Sequence, residues 1–133
     1  MATHLLGIVH IPIFEPLKQC ADRLSAALDG VAFVAEESGK YEEVPAYVGS
    51  KGDAEFVLFG VPDAESAAEY SLEFNCKTAT PVSRLAVQSG VSFLAHVPDD
   101  KPRNERGYVD VSPELCAHLN QVDFALGKAV VSG

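Results

Sequence analysis

The stretch Ala54–Val61, Ala-Glu-Phe-Val-Leu-Phe-Gly-Val, constrains this chain most. Phe56, Val57, Leu58 and Phe59 follow one another without a polar break, and turn residues close both ends: Gly52 and Asp53 before, Pro62 and Asp63 after. The run is too short for a core helix. A β-branched and aromatic run between such breakers predicts a strand buried on both faces, at the centre of a sheet.

The flanking segments supply that sheet. Leu5–Phe14 is apolar and β-branched and reads as a first strand; Pro12 places it at an edge or a bend. Leu17, Cys20, Ala21, Leu24, Ala27 and Leu28 recur at helical spacing. Gly30 then ends that helix. Val31–Ala35 and Tyr41–Val48 are strand candidates around the polar turn Glu36–Lys40, and Gly49–Asp53 reads as the turn before the central strand. Pro62–Glu69 suits a short helical turn.

In the next segment Tyr70, Leu72, Phe74 and Cys76 alternate with Ser71, Glu73, Asn75 and Lys77. This period of two marks a half-buried strand. Thr80-Pro81 opens a predicted helix through Ser89, Val91–Val97 reads as a strand, and Pro98–Gly107 is the longest polar loop. Tyr108–Val111 reads as a short strand, Ser112–Asn120 as a helix and Phe124–Val131 as a last strand. No internal repeat or linker divides the 133 residues. The expectation is a single α+β domain over 1–133, a mainly antiparallel sheet with about three helices packed on it.

Motifs for chemistry are missing. No Gly-x-Ser-x-Gly elbow, Gly-x-Gly-x-x-Gly loop or Walker-type loop occurs. Cys20, Cys76 and Cys116 are odd in number and widely spaced, which suits reduced thiols and not a disulfide framework. Cys116 and His118 stand two apart on a predicted helix and so do not face each other. No metal, cofactor or catalytic residue is expected. No secretory leader or spanning segment is read, so the expected compartment is the cytoplasm.

Charge carries the functional reading. Nineteen acids against ten bases give a net charge of −9, which argues against a nucleic-acid or anionic-membrane surface. The charge is segregated: Glu36 to Glu73 hold ten acids and two bases, nearly the whole excess, while Lys101, Arg103 and Arg106 gather in the long loop. Solubility is the plainer account of such a field. The same field also steers a basic protein into contact.

The first expectation is therefore a small acidic cytoplasmic protein that binds and neutralises a basic partner. Its most concrete form is an immunity protein that occludes the active site of a bacterial toxin, a nuclease among the candidates. Glu36, Glu37, Glu42, Glu43, Asp53 and Glu55 would make the charged contacts, with Tyr41 and Tyr47 as aromatic anchors. The alternative is a ligand-binding or enzymatic domain with a pocket near Tyr70, His96 and Tyr108, joined by His118, under the basic loop. A shallow acidic surface favours the first and a deep pocket with convergent polar groups the second. Oligomeric state is not readable from the sequence.

Overall fold

The computed structural model describes residues 3–13, 15–28, 30–36, 45–61, 69–79, 84, 92–97 and 102–122. They form an α+β fold: a six-stranded mixed sheet and two α-helices. The strands are β1 (Thr3–Pro12), β2 (Phe33–Ala35), β3 (Ala46–Lys51), β4 (Ala54–Phe59), β5 (Glu69–Thr78) and β6 (Val109–Asp110); the helices are α1 (Leu17–Ala27) and α2 (Ser112–Gln121). Strand order is β2-β3-β4-β5-β1-β6. Every pairing is antiparallel except β1 with β6, which is parallel. The expected helix Pro81–Ser89, apart from Arg84, and the strand Phe124–Val131 lie outside the described residues, as does most of the turn Pro62–Glu69.

The alternation read in Tyr70–Cys76 is that of β5. Tyr70, Leu72, Phe74, Cys76 and Thr78 are buried, whereas Glu69, Glu73, Asn75 and Lys77 are exposed. Its antiparallel register aligns Phe74 with Phe56 of β4 and with Gly7 of β1. Leu5, Val9, Ile11, Phe56 and Leu58 extend the same buried face, and α1 lays Cys20, Ala21, Leu24 and Ala27 on it. Leu115 and Leu119 of α2 complete the layer.

Three expectations are corrected. Val91–Val97 is not a strand: Ser92–His96 forms a 3-10 helix. Adjacent Phe93 and Leu94 are both fully buried, and the tight helical turn lets both reach the core. Phe93 stands edge-on to Phe74, with centroids 5.2 Å apart, and Phe74 lies 5.0 Å from Phe56. Such ring pairs add about 0.5–1.5 kcal/mol each beyond area burial.

The strand expected over Tyr41–Val48 starts at Ala46 and runs to Lys51, so Gly49 is a strand residue and not a turn residue. A Cβ on Gly49 would lie 2.8 Å from a Val31 methyl and 3.0 Å from the Ala32 carbonyl. Here glycine serves close packing. The turn shrinks to Gly52-Asp53, where Gly52 takes the left-handed φ of 59° that two-residue hairpins favour.

Pro12 does not put β1 at the sheet edge, because β1 lies between β5 and β6. Pro12 is its last residue, beyond the short β6 pairing of Leu5 with Val109 and Leu6 with Asp110. Past that pairing Ser112 takes over, its Oγ accepting from the Ile8 N–H at 2.9 Å.

The turn from β1 into α1 is held by an ion pair. Arg23 donates two bonds to the Glu15 carboxylate, at 2.8 and 2.7 Å, and Tyr70 Oη donates to the Glu15 carbonyl at 2.9 Å. At the far end of α1, Gly30 adopts φ 90° and its N–H reaches the Ser25 carbonyl, the left-handed exit expected of that glycine.

Candidate functional site

The register that buries one face of the sheet fixes the other. Among the described residues α1 packs on the first face, and α2 borders the second at its β1 side, where Pro113, Cys116 and Ala117 share a cavity with Ile8 and His10. The side chains of the second face fall into cross-strand rows. One row runs Val34, Val48, Val57, Glu73, Ile8 across β2, β3, β4, β5 and β1. Next to it run Ser50, Glu55, Asn75, Leu6 and Asp110, and on the other side Ala46, Phe59, Ser71 and His10. Neighbouring strands are about 4.8 Å apart, so each row is a continuous strip.

The middle row is apolar apart from Glu73. Val34 is 67% exposed and Ile8 46%, while Val57 between them is only 7% exposed. A groove of about 240 Å³ follows this region, over Leu6, Ile8, Val57 and Phe59, with Glu55 and Glu73 on its walls. Glu55 pairs with Asn75 and Glu73 with Val57, so the two carboxylates are diagonal neighbours on β4 and β5. Diagonal positions are about 7–8 Å apart, too far for mutual hydrogen bonding and close enough to act on one bound cation.

The positive end is at the opposite edge. Lys77 pairs with His4 on the same face, and Arg103 donates to Thr3 Oγ1 at 3.5 Å. His4 donates to Asn75 Oδ1 at 2.7 Å and meets Tyr108 edge-on, with centroids 4.6 Å apart. The open face thus carries acid at its centre and base at one margin.

The sequence-predicted residues divide. Glu55 lies in the groove, and Asp53 is exposed in the adjoining β3–β4 turn. Glu36 is half-buried just after β2, where its N–H donates to the Ala46 carbonyl. Tyr47 pairs with Leu58 and packs against the core, on the face opposite Glu55; the two do not share a surface. Glu37, Tyr41, Glu42 and Glu43 lie outside the described residues.

The alternative pocket does not assemble around its two tyrosines. Tyr70 pairs with Ile11, and Tyr108 precedes Val109, the partner of Leu5. The length of β1 between those positions holds them about 20 Å apart. Tyr70 is buried with its hydroxyl committed to Glu15. His118 is engaged between the helices, where Nε2 donates to the Ala27 carbonyl at 2.9 Å. The His96 side chain lies outside the described residues.

The buried thiols are chemically quiet. Burial, with Glu15 adding and Arg23 opposing, pushes Cys20 up to about 12. Burial and then Asp53 push Cys76 up to about 11. Both are thiols, not thiolate nucleophiles, near neutral pH. Among the described residues no three His, Cys, Asp or Glu side chains converge as metal ligands, and no helix is long and apolar enough to cross a membrane.

Sequence reasoning missed Glu73, Ile8 and Val57 as site residues. Glu73 was legible as solvent-facing from the β5 alternation, but its strand neighbours were not. No protein-family model, curated protein or solved structure matches the chain.

Proposed function

We propose that this is a small acidic cytoplasmic protein, a single domain over 1–133, whose open sheet face binds a basic protein and neutralises it. The reading rests on one observation. An apolar row from Val34 to Ile8, exposed at both ends, is split by Glu73 and flanked by Glu55. An apolar strip gives area to bury, and carboxylates inside it select a partner that brings cations. The net charge of −9 steers that partner at long range. In the most concrete form the partner is a bacterial toxin, a nuclease included, whose basic active-site cleft is occluded. Glu55, Glu73 and Asp53 make the charged contacts and Ile8 and Val34 the apolar ones.

The test is co-expression with the product of the adjacent reading frame. A stoichiometric complex that dissociates as salt rises, together with protection of cells from that product, supports the reading. Absence of a complex at low salt, or a complex with no protection, overturns it.

A further inference from the structure

A second cavity, of about 670 Å³, opens between β1 and α2. Ile8 and His10 of β1 line one side of it, and Pro113, Cys116 and Ala117 of α2 the other. Pockets of about 300–1,000 Å³ hold drug-sized ligands, and a short extended peptide is of that size.

The β1 wall of this cavity is a stretch of sheet edge. Successive strand residues direct their backbone groups to opposite edges. The Leu6 carbonyl accepts from the Val111 N–H at 2.7 Å, and the Ile8 N–H donates to Ser112 Oγ at 2.9 Å. The backbone groups of Leu6, Ile8 and His10 therefore point toward β6 and α2. Those of Val9 and Ile11 point the other way, into the ladder with Leu72 and Tyr70 of β5. Pairing with β6 ends at Leu6. Beyond the Ser112 bond, the Ile8 carbonyl and the His10 N–H and carbonyl have no partner among the described residues. Pro12 closes the stretch without an N–H.

We infer that an extended segment of the basic partner pairs with the Ile8–Pro12 edge as an added strand, with an apolar side chain of that segment in the cavity. This rests on the proposed binding role of the open face. The cavity is continuous with that face, since Ile8 lines both the cavity and the groove over Val57 and Glu73. A side chain or a small ligand meets one of the three free backbone groups. An extended main chain meets a donor and two acceptors together, at the spacing a strand presents them. Ile8, Pro113 and Ala117 call for an apolar side chain beside that main chain. Glu73 across from Ile8 and the net charge of −9 favour lysine or arginine at the alternate positions, which face the other way. Ser112 at one end and Pro12 at the other keep the edge short, so it admits a brief segment and not open-ended stacking of sheets.

The experiment uses the full chain, labelled with 15N, and a capped peptide of alternating valine and lysine as probe. Its control is the same peptide methylated on the internal nitrogens, which keeps the side chains and loses the donors. In the free protein the His10 amide hydrogen should exchange faster than those of Val9 and Ile11. Probe binding in the millimolar range or tighter should shift the His10 amide saturably and slow its exchange. The methylated peptide should bind at least about tenfold more weakly. His10→Pro removes the edge donor and nothing from the β5 ladder, and should weaken the probe by about tenfold or more. Ala117→Trp, at an exposed helix position, should block it. A His10 amide as protected as Val9 in the free protein, no saturable shift, equal binding of the methylated peptide, or undiminished binding by both variants overturns the assignment. The two readings fail separately. A partner complex lost in Glu55→Lys/Glu73→Lys but unaffected by His10→Pro and Ala117→Trp removes the added strand alone. Probe binding at the β1 edge without any partner complex removes the neutralising role alone.

Discussion

Glu73 of β5 and Ile8 of β1 are register partners on the open face, a carboxylate directly across from an exposed aliphatic side chain. Val57 stands on the other side of Glu73. A sheet face meant only for water has no need of aliphatic side chains, and one meant for a core excludes the acid. This combination is the feature on which the proposed partner surface rests.

The ion pair at the start of α1 should be a sensitive point of the fold. The Glu15 carboxyl is 7% exposed and the Arg23 head 27%. Arg23→Ala strands a nearly buried carboxylate and should cost about 2–4 kcal/mol, reduced from a fully buried pair by solvent at Arg23. Glu15→Gln with Arg23→Met removes both charges and should recover a large part of that loss. Urea denaturation of the single and double variants measures the difference.

Stability should fall at alkaline pH. The reference thiol value is 9.0, and in the folded protein Cys20 and Cys76 are raised to about 12 and about 11. Between those values the unfolded chain has released protons that the folded chain retains, so the folded state loses ground as pH rises. Tyr70, raised by burial and then by Cys20 and Glu15, acts in the same direction. The urea midpoint should drop between pH 8 and about pH 10.5, and Cys20→Ala should shrink that drop. An equal drop in the variant would remove Cys20 from the explanation.

Phe93 joins the 3-10 helix to the sheet through Phe74 and Phe56. Phe93→Ala should destabilise by about 3–5 kcal/mol, the cost of emptying a fully buried ring site. Thermal and urea unfolding read this directly. A cost below about 1 kcal/mol would mean that the 3-10 helix is not part of the cooperative core.

Much of the fold was legible where a side chain's environment is written locally. The alternation from Tyr70 to Cys76 gave the faces of β5, and Leu17 to Leu28 gave the buried stripe of α1. The run at Phe56–Phe59 marked β4, although Glu55 and Phe59 are only half-buried. Phe93-Leu94 was not legible, since a short apolar run fits a strand or a tight helical turn equally well. Gly49 was misread because a glycine required by Val31 packing looks in sequence like one required by a turn. The site was legible only in part. Glu55 stood in the acidic segment, but pairing of β1 with β5 joins distant residues, and that pairing places Ile8 beside Glu73. Tyr47 failed as a neighbour of Glu55 for the same reason: one residue of register decides the face.

The most direct test is the association rate of this protein with the adjacent-frame product, followed over a salt series, for the natural chain and for Glu55→Lys/Glu73→Lys. Both residues lie on the solvent side of the sheet, so the thermal midpoint should stay within about 1–2 °C of the natural one. Association should be at least about tenfold slower in the variant, with a much flatter dependence on salt. An unchanged rate and an unchanged salt slope in a folded double variant would contradict it, and the open face would lose its role.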